Sequence, residues 1–341
     1  MNSVNIISLS FNNDLTRFSC CTTTGVRVFQ LEPLKARERI NRGGALSCKI
    51  MKFQCLFAIV HSSKYSDYSE KTVMIFNNMK KDFEKTIEYK SVVKSVRTSR
   101  NKIIVVTLNE IFVYTFPVIL NNIRKLLTLG TCPNPMGLCE VTPLETSTQQ
   151  IIAYPGSYIG TIDILDISCL KRRGHVNSGR IDTIYGAYIG EISGLAINKL
   201  GTLIASAASE EMYIKIWDTC RKIKVAEVRR ADIATIYCIN FSPNSEFICC
   251  SGVEGTIEIF AVIKFDINTH VSPEPYSAYV VSEHCQIPKS IAIFSIPSKV
   301  GCICTFLTLN TVAVIGLDGV YYKFEYSDDG YGRIKETQML M

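Results

Sequence analysis

The chain has 341 residues and a mass of 38.2 kDa, enough for two average domains or one large all-β domain. Hydrophobic residues at 47% and charged residues at 20% give a globular composition and exclude a disordered chain. A formal net charge of +6, with a pI near 8.6, excludes a polycation that coats nucleic acid but leaves room for one anion-binding patch.

From the N-terminus, MNSVNIISLSFNN has no basic start and is broken by Asn and Ser, so a secretory leader is not expected. The longest apolar runs, such as Leu56–Val60 and Ile103–Thr107, are of buried-strand length. A membrane-spanning helix needs about 18 or more apolar residues. The fourteen cysteines sit mostly inside apolar strands (Cys20, Cys21, Cys249, Cys250, Cys302, Cys304) and read as small core residues of a reducing compartment. C-x-x-C pairs are absent, and His61, His175, His270 and His284 stand far apart, so neither a metal site nor a cofactor is expected.

What recurs along the chain is a short strand of β-branched and aromatic residues, a turn, and another strand. Each unit closes on an alternating apolar segment: GVRVFQL (25–31), KTVMIFNN (71–78), NEIFVYTF (109–116), GTIDILDI (160–167), YIKIWDT (213–219), GTIEIFAV (255–262) and GVYYKFEY (319–326). The anchors Phe29, Phe76, Tyr114, Leu165, Trp217, Phe260 and Phe324 recur at roughly 45 residues, the period of a four-stranded propeller blade. Seven units close a ring without exposed inner sheet edges. The fold expected is a single all-β, seven-bladed β-propeller of WD-repeat-like blades, spanning about 4–31, 44–78, 86–117, 126–167, 186–219, 222–262 and 284–326. Two β-sandwiches are the alternative architecture. No Gly-rich phosphate loop, G-x-S-x-G or His/Asp/Ser constellation supports an enzyme.

Two basic clusters compete for the anion-binding role: Lys171-Arg172-Arg173-Gly174 and the pair Arg229-Arg230, which runs straight into the strand IYCINFS. The last three units resemble the PROPPIN family of phosphoinositide-binding propellers that act in autophagy. The resemblance is carried by IYCINFSPNSEF, IKIWDT and GCICTFLTLNTVAVIGLDGVYYKFEY (301–326), with looser agreement earlier in GVRVFQLEPLKARERINRGGALSCKI (25–50), VMIFNNMKKDFEKTIEYKSVVKSVR (73–97) and YPGSYIGTIDILDI (154–167). The family signature Phe/Leu-Arg-Arg-Gly precedes the sixth blade, which here is Val228-Arg229-Arg230-Ala231. KRRG at 171–174 matches by letters but falls in the linker between units four and five.

Successive side chains of an extended segment point to opposite sides, so neighbouring arginines can enter different pockets, one towards blade five and one towards blade seven. A guanidinium suits phosphate because its planar fork donates paired hydrogen bonds and stays charged. The resemblance implies a headgroup site of Arg229, Arg230, Ser206, Ser251 and Thr256, with hydroxyls supplied by neighbouring strands. The sequence departs from the pattern at Ala208 and Met212, where hydroxyls are implied, at Tyr188 in place of a His, at Gly252, and at Ala231 in place of the motif glycine. The blade-six pocket of Arg230, Ser251 and Thr256 is therefore the better preserved.

Two loops extend the expectation. Residues 264–289 leave the blade pattern, and Tyr276, Tyr279, Val280 and Val281 form a short amphipathic stretch suited to shallow bilayer insertion, or alternatively a core strand of blade seven. NNMKKDFEK (77–85), placed between blades two and three, resembles the family's docking loop for the lipid-transfer protein of autophagy, through Asn77, Asn78, Lys80, Lys81 and Asp82. The resemblance thus implies a cytoplasmic monomer that attaches peripherally to preautophagosomal, endosomal or vacuolar membranes carrying phosphatidylinositol 3-phosphate or 3,5-bisphosphate and recruits effectors. The rival reading is a propeller of the same lineage whose lipid pockets have decayed, acting only as a protein-interaction scaffold.

Overall fold

The computed structural model describes all residues except 1–4, 52–54, 117–122, 169, 171–179, 234, 264–288, 328–331 and 341. Its 28 strands, β1–β28 in chain order, form seven four-stranded antiparallel sheets and no helix among the described residues. In each sheet the strands follow one another in sequence. The innermost strands are β1 (Ile6–Phe11), β5 (Ala45–Ile50), β9 (Val93–Ser99), β13 (Glu140–Val141), β17 (Ile192–Ile197), β21 (Ile236–Phe241) and β25 (Cys302–Thr308). They pack side by side around a central channel of about 1060 Å³. The chain is a seven-bladed β-propeller.

The seven closing segments of the sequence are the third strands: β3 (Gly25–Gln30), β7 (Thr72–Asn77), β11 (Glu110–Thr115), β15 (Ile162–Asp166), β19 (Tyr213–Asp218), β23 (Thr256–Ala261) and β27 (Val320–Tyr326). Each is followed by an outer fourth strand: β4 (Lys35–Ile40), β8 (Asp82–Glu88), β12 (Lys125–Gly130), β16 (Ile181–Ile184), β20 (Lys224–Arg229), β24 (Ala292–Ser295) and β28 (Gly332–Met339). The sheets therefore run beyond the units marked in the sequence: the first blade spans 6–40, and β24 completes blade six rather than opening blade seven. Outer strands such as β8 and β28 carry no apolar run, because only one side of them meets protein: β8 is a mixture of exposed and half-buried residues and β28 is exposed throughout.

Seven apolar clusters hold the ring, one at each junction between blades. Alternate residues of a strand face the blades on either side, so each sheet contributes to two clusters. Side chains such as Phe57, Phe260 and Tyr321 are almost wholly buried. Burying one such side chain contributes about 1.5–3 kcal/mol. The junction of blades seven and one is of the same kind: Phe18, Phe29 and Leu31 pack on Ile303, Ile315 and Tyr321, and Lys323 bridges to Glu32 at 2.7 Å. Among the described residues no strand crosses between those two sheets. Burial pushes the thiols of Cys21 and Cys139 up to about 12, as expected for packing residues.

Two buried ionisable groups lie away from the arginine pair. Lys49 of β5 is buried, and its Nζ donates to Phe11 O at 2.8 Å. Burial, and then the Arg97 charge, push its ammonium down to about 8. Arg97 itself pairs with Glu140 at 2.9 Å. His61 ends β6 (Leu56–His61) between the rings of Tyr68 (4.6 Å) and Phe83 (5.6 Å), and desolvation pushes its imidazole down to about 4.

Candidate anion site at the junction of blades five and six

Arg229 is the last residue of β20, so the arginine pair ends blade five instead of opening blade six. Arg229 pairs across the sheet with Tyr213 and shares its face. Its side chain is exposed and makes no hydrogen bond or ion pair to the described residues. Arg230 points to the opposite side and is only 4% exposed. Its main-chain N donates to Met212 O at 2.8 Å, and its Nη2 donates to Glu211 O at 3.0 Å. The two arginines do diverge as the pleat requires, but Arg230 meets blade six, not blade seven, because the pair belongs to the outer strand of blade five.

What Arg230 meets is β23. Thr256 and Glu258 alternate on one face of that strand, the face turned to blade five together with Cys250 and Phe260. Glu258 is 5% exposed, and its Oε2 accepts from Ala231 N at 2.9 Å. Burial holds its carboxyl above the usual carboxylate range, opposed by the Ala231 N–H and by the Arg230 charge. The Thr256 hydroxyl is half-buried and makes no hydrogen bond to the described residues. The Arg230 charge and the Ala231 N–H thus act on the Glu258 carboxylate, and the Thr256 hydroxyl lies two residues along the same strand face. Donors of this kind bind an oxyanion well, and the anion in place is the chain's own carboxylate.

The two serines lie elsewhere. Ser251 of β22 (Phe247–Gly252) is directly opposite Ile257, so it faces blade seven, away from Thr256 and Arg230. It is fully buried and donates to Cys302 O across the blade junction. Ser206 of β18 (Leu203–Ala208) is fully buried on the face turned to blade four. Its Oγ accepts from Trp217 Nε1 at 2.8 Å and lies 3.1 Å from the Tyr188 hydroxyl. Tyr188 reaches this point because Gly160 lets its loop come close: a Cβ on Gly160, at φ +75°, would stand 2.0 Å from Tyr188 O. Both serine hydroxyls therefore tie parts of the fold together.

Beside Tyr188 lies a cleft of about 680 Å³, lined by Glu210, Glu211, Met212, Tyr213 and Lys215. Its one lysine is engaged: Lys215 Nζ bonds Glu211 at 2.8 Å and Ala187 O at 2.9 Å, 4.0 Å from the centre of the Tyr188 ring. Two carboxylates and a neutralised ammonium make this cleft a poor seat for phosphate.

The remaining candidates sit apart. Asn77–Asp82 form the turn between β7 and β8 within blade two, not a link between blades two and three. The turn is fixed by Asn77 Oδ1, which accepts from Met79 N at 2.9 Å, and by Lys81 Nζ donating to Asn78 Oδ1 at 2.7 Å; Met79 is 82% exposed. Tyr276, Tyr279, Val280 and Val281, like Lys171–Gly174, lie outside the described residues. Glu258 was not singled out in the sequence. It holds the polar position of the alternating segment TIEIF, two residues after Thr256, where a carboxylate is ordinary.

The sequence profile of the PROPPIN family matches residues 5–292. The chain belongs to the PROPPIN family. Among curated relatives, SVP1-like protein 2 of Schizosaccharomyces pombe is 28% identical over 81% of this chain and 73% of its own length. Autophagy-related protein 18 of Dictyostelium discoideum is 26% identical over 98% of this chain and 94% of its own. Among solved structures, Kluyveromyces lactis Hsv2 superposes with a TM-score of 0.78 at 18% identity, covering 99% of this chain and 100% of that one, which is a likeness of fold. As a member of the PROPPIN family, the chain is a non-enzymatic propeller.

Proposed function

We propose that this PROPPIN reads phosphatidylinositol 3-phosphate or 3,5-bisphosphate on the cytoplasmic face of autophagic, endosomal or vacuolar membranes, through the cradle at the junction of blades five and six. The observation that carries this reading is the buried anion position at Glu258, held by the Ala231 N–H beside the Arg230 charge, with the Thr256 hydroxyl on the same strand face. Arg229, exposed on the other face of the strand, adds attraction worth about 1 kcal/mol per basic residue near an anionic surface. One headgroup gives weak attachment, and stable anchoring takes a second signal. Segment 276–281, with Tyr276, Tyr279, Val280 and Val281, has the composition to supply it. Once on the membrane the propeller recruits protein, with the exposed turn Asn77–Asp82 as the docking point proposed for a lipid-transfer partner.

A second reading has specific support. The hydroxyls of Ser206 and Ser251 are engaged inside the fold, Lys215 is paired, and a carboxylate occupies the cradle. These favour a protein scaffold that no longer binds lipid.

Liposome flotation decides between them. Wild type, Arg229→Ala and Thr256→Val are compared on phosphatidylcholine vesicles with and without the phosphoinositide, near physiological salt so that loose charge attraction is screened. Flotation that needs the phosphoinositide and drops several-fold in both variants supports the lipid reader. Arg230→Ala is added with a melting curve, because a residue this buried also supports the fold. If wild type stays behind on every vesicle, the scaffold reading stands.

A further inference from the structure

The cradle's own occupant has a consequence for how it binds. We infer that Glu258 acts as a resident anion which a phosphoinositide headgroup must displace, so that headgroup uptake is coupled to uptake of a proton. The inference rests on the lipid-reading function proposed above and concerns the regulation of that same site. Its geometry is explicit: the Glu258 carboxylate holds the Ala231 N–H, lies in the field of Arg230, and shares a strand face with Thr256. These are the donors an incoming phosphate would use. A phosphate and a carboxylate cannot share them while both are charged, since like charges at contact disfavour joint ionisation.

The surroundings of Glu258 favour protonation as the way out. From the link between blades five and six it faces Arg230 and Asp232, of opposite sign. From β22 it faces the Cys250 thiol, directly across the ladder, which burial keeps neutral. From β24 its partner is Ile293, which carries no charge. Burial already raises the carboxyl above its ordinary range, and a second negative group entering the cradle raises it further. The proton comes from solvent and stays on the carboxyl. The phosphate oxygens then accept from Ala231 N and the Arg230 guanidinium. No covalent bond is made or broken.

The variant that isolates the charge is Glu258→Gln, which keeps the size of the side chain and an oxygen able to accept from Ala231 N. Affinity is measured on phosphatidylcholine vesicles containing phosphatidylinositol 3-phosphate, for wild type and variant, at pH 7.4, 6.5 and 5.5, with melting curves of both. At pH 7.4 the variant is expected to bind at least tenfold more tightly than wild type. The gap should close towards pH 5.5, because one proton taken up per headgroup gives at most about tenfold in affinity per pH unit. Comparing the two proteins at each pH cancels the titration of the phosphate itself. If both bind and the ratio stays near one at every pH, the inference on Glu258 is overturned while the lipid-reading function stands. If neither folded protein binds at any pH, the lipid-reading function falls, and the inference with it.

Discussion

Ser206→Ala separates a structural role for this hydroxyl from a ligand role. Ser206 is fully buried in β18, and its Oγ accepts from the indole N–H of Trp217, itself only 8% exposed. Alanine fits the strand but leaves that N–H without its partner in an apolar cluster. An unsatisfied buried donor costs about 1–3 kcal/mol. The Tyr188 hydroxyl keeps its bond to Ser206 O, so the loop it anchors stays in place. With an unfolding entropy of about 2.1 cal/mol/K per residue, a 341-residue chain loses about 3 °C of Tm for 2 kcal/mol. Trp217 is the chain's single tryptophan, so its fluorescence reports the melt directly. The same preparation is then tested by flotation, where phosphoinositide binding should equal that of wild type. An unchanged Tm together with lost lipid binding would refute the structural role and make Ser206 a headgroup ligand.

Two further predictions concern pH. The Lys49 ammonium titrates at about 8 in the folded chain against 10.5 ordinarily, so between those values the unfolded chain holds more protons and stability rises with pH. Lys49→Met lacks this step, and the stability difference between variant and wild type should shift by about 3 kcal/mol in favour of wild type between pH 7 and 10.5. Urea titrations at the two values check it, and a difference independent of pH contradicts it. His61 acts with the same sign in a lower pH window. Its folded value of about 4 against 6.5 means that, as pH falls through this window, the unfolded chain takes a proton the folded chain refuses. Wild type should lose up to about 3 kcal/mol between pH 6.5 and 4 through this group, and His61→Phe, which preserves the ring contacts with Tyr68 and Phe83, should lose correspondingly less. Equal acid losses in the two proteins would discount His61.

The third strands were legible because both of their sides are covered by neighbouring blades, which forces the alternating apolar run around each anchor. The outer strands were not. KARERI fell between the units marked in the sequence and DFEKTIE across the start of the third, and pairing with β3 and β7 is what makes them outer strands. That omission also misplaced the arginine pair and the 77–82 turn by one element. At the site, residue type was legible and direction was not. Ser251 and Thr256 are close in sequence and were grouped in one pocket, yet the pleat of a paired strand sends them to opposite sides of the blade. Glu258 escaped notice because nothing in a one-dimensional pattern says that its carboxylate reaches Ala231 N.

The way the ring closes bears on how the molecule is made. Every sheet is built from one continuous stretch of chain, and every strand pair joins sequence neighbours. Each blade can therefore form by successive hairpins, most with short loops to close and a small entropic barrier, although residues 262–291 separate β23 from β24 in blade six. Six of the seven junctions then arise between segments that follow one another along the chain. The last one brings Glu32 to Lys323, 291 positions apart, and among the described residues it is held by side-chain packing and that ion pair. Substitutions in that seam, for instance at Phe18 or Tyr321, should accelerate opening of the ring while leaving hairpin formation within the individual blades at its original speed.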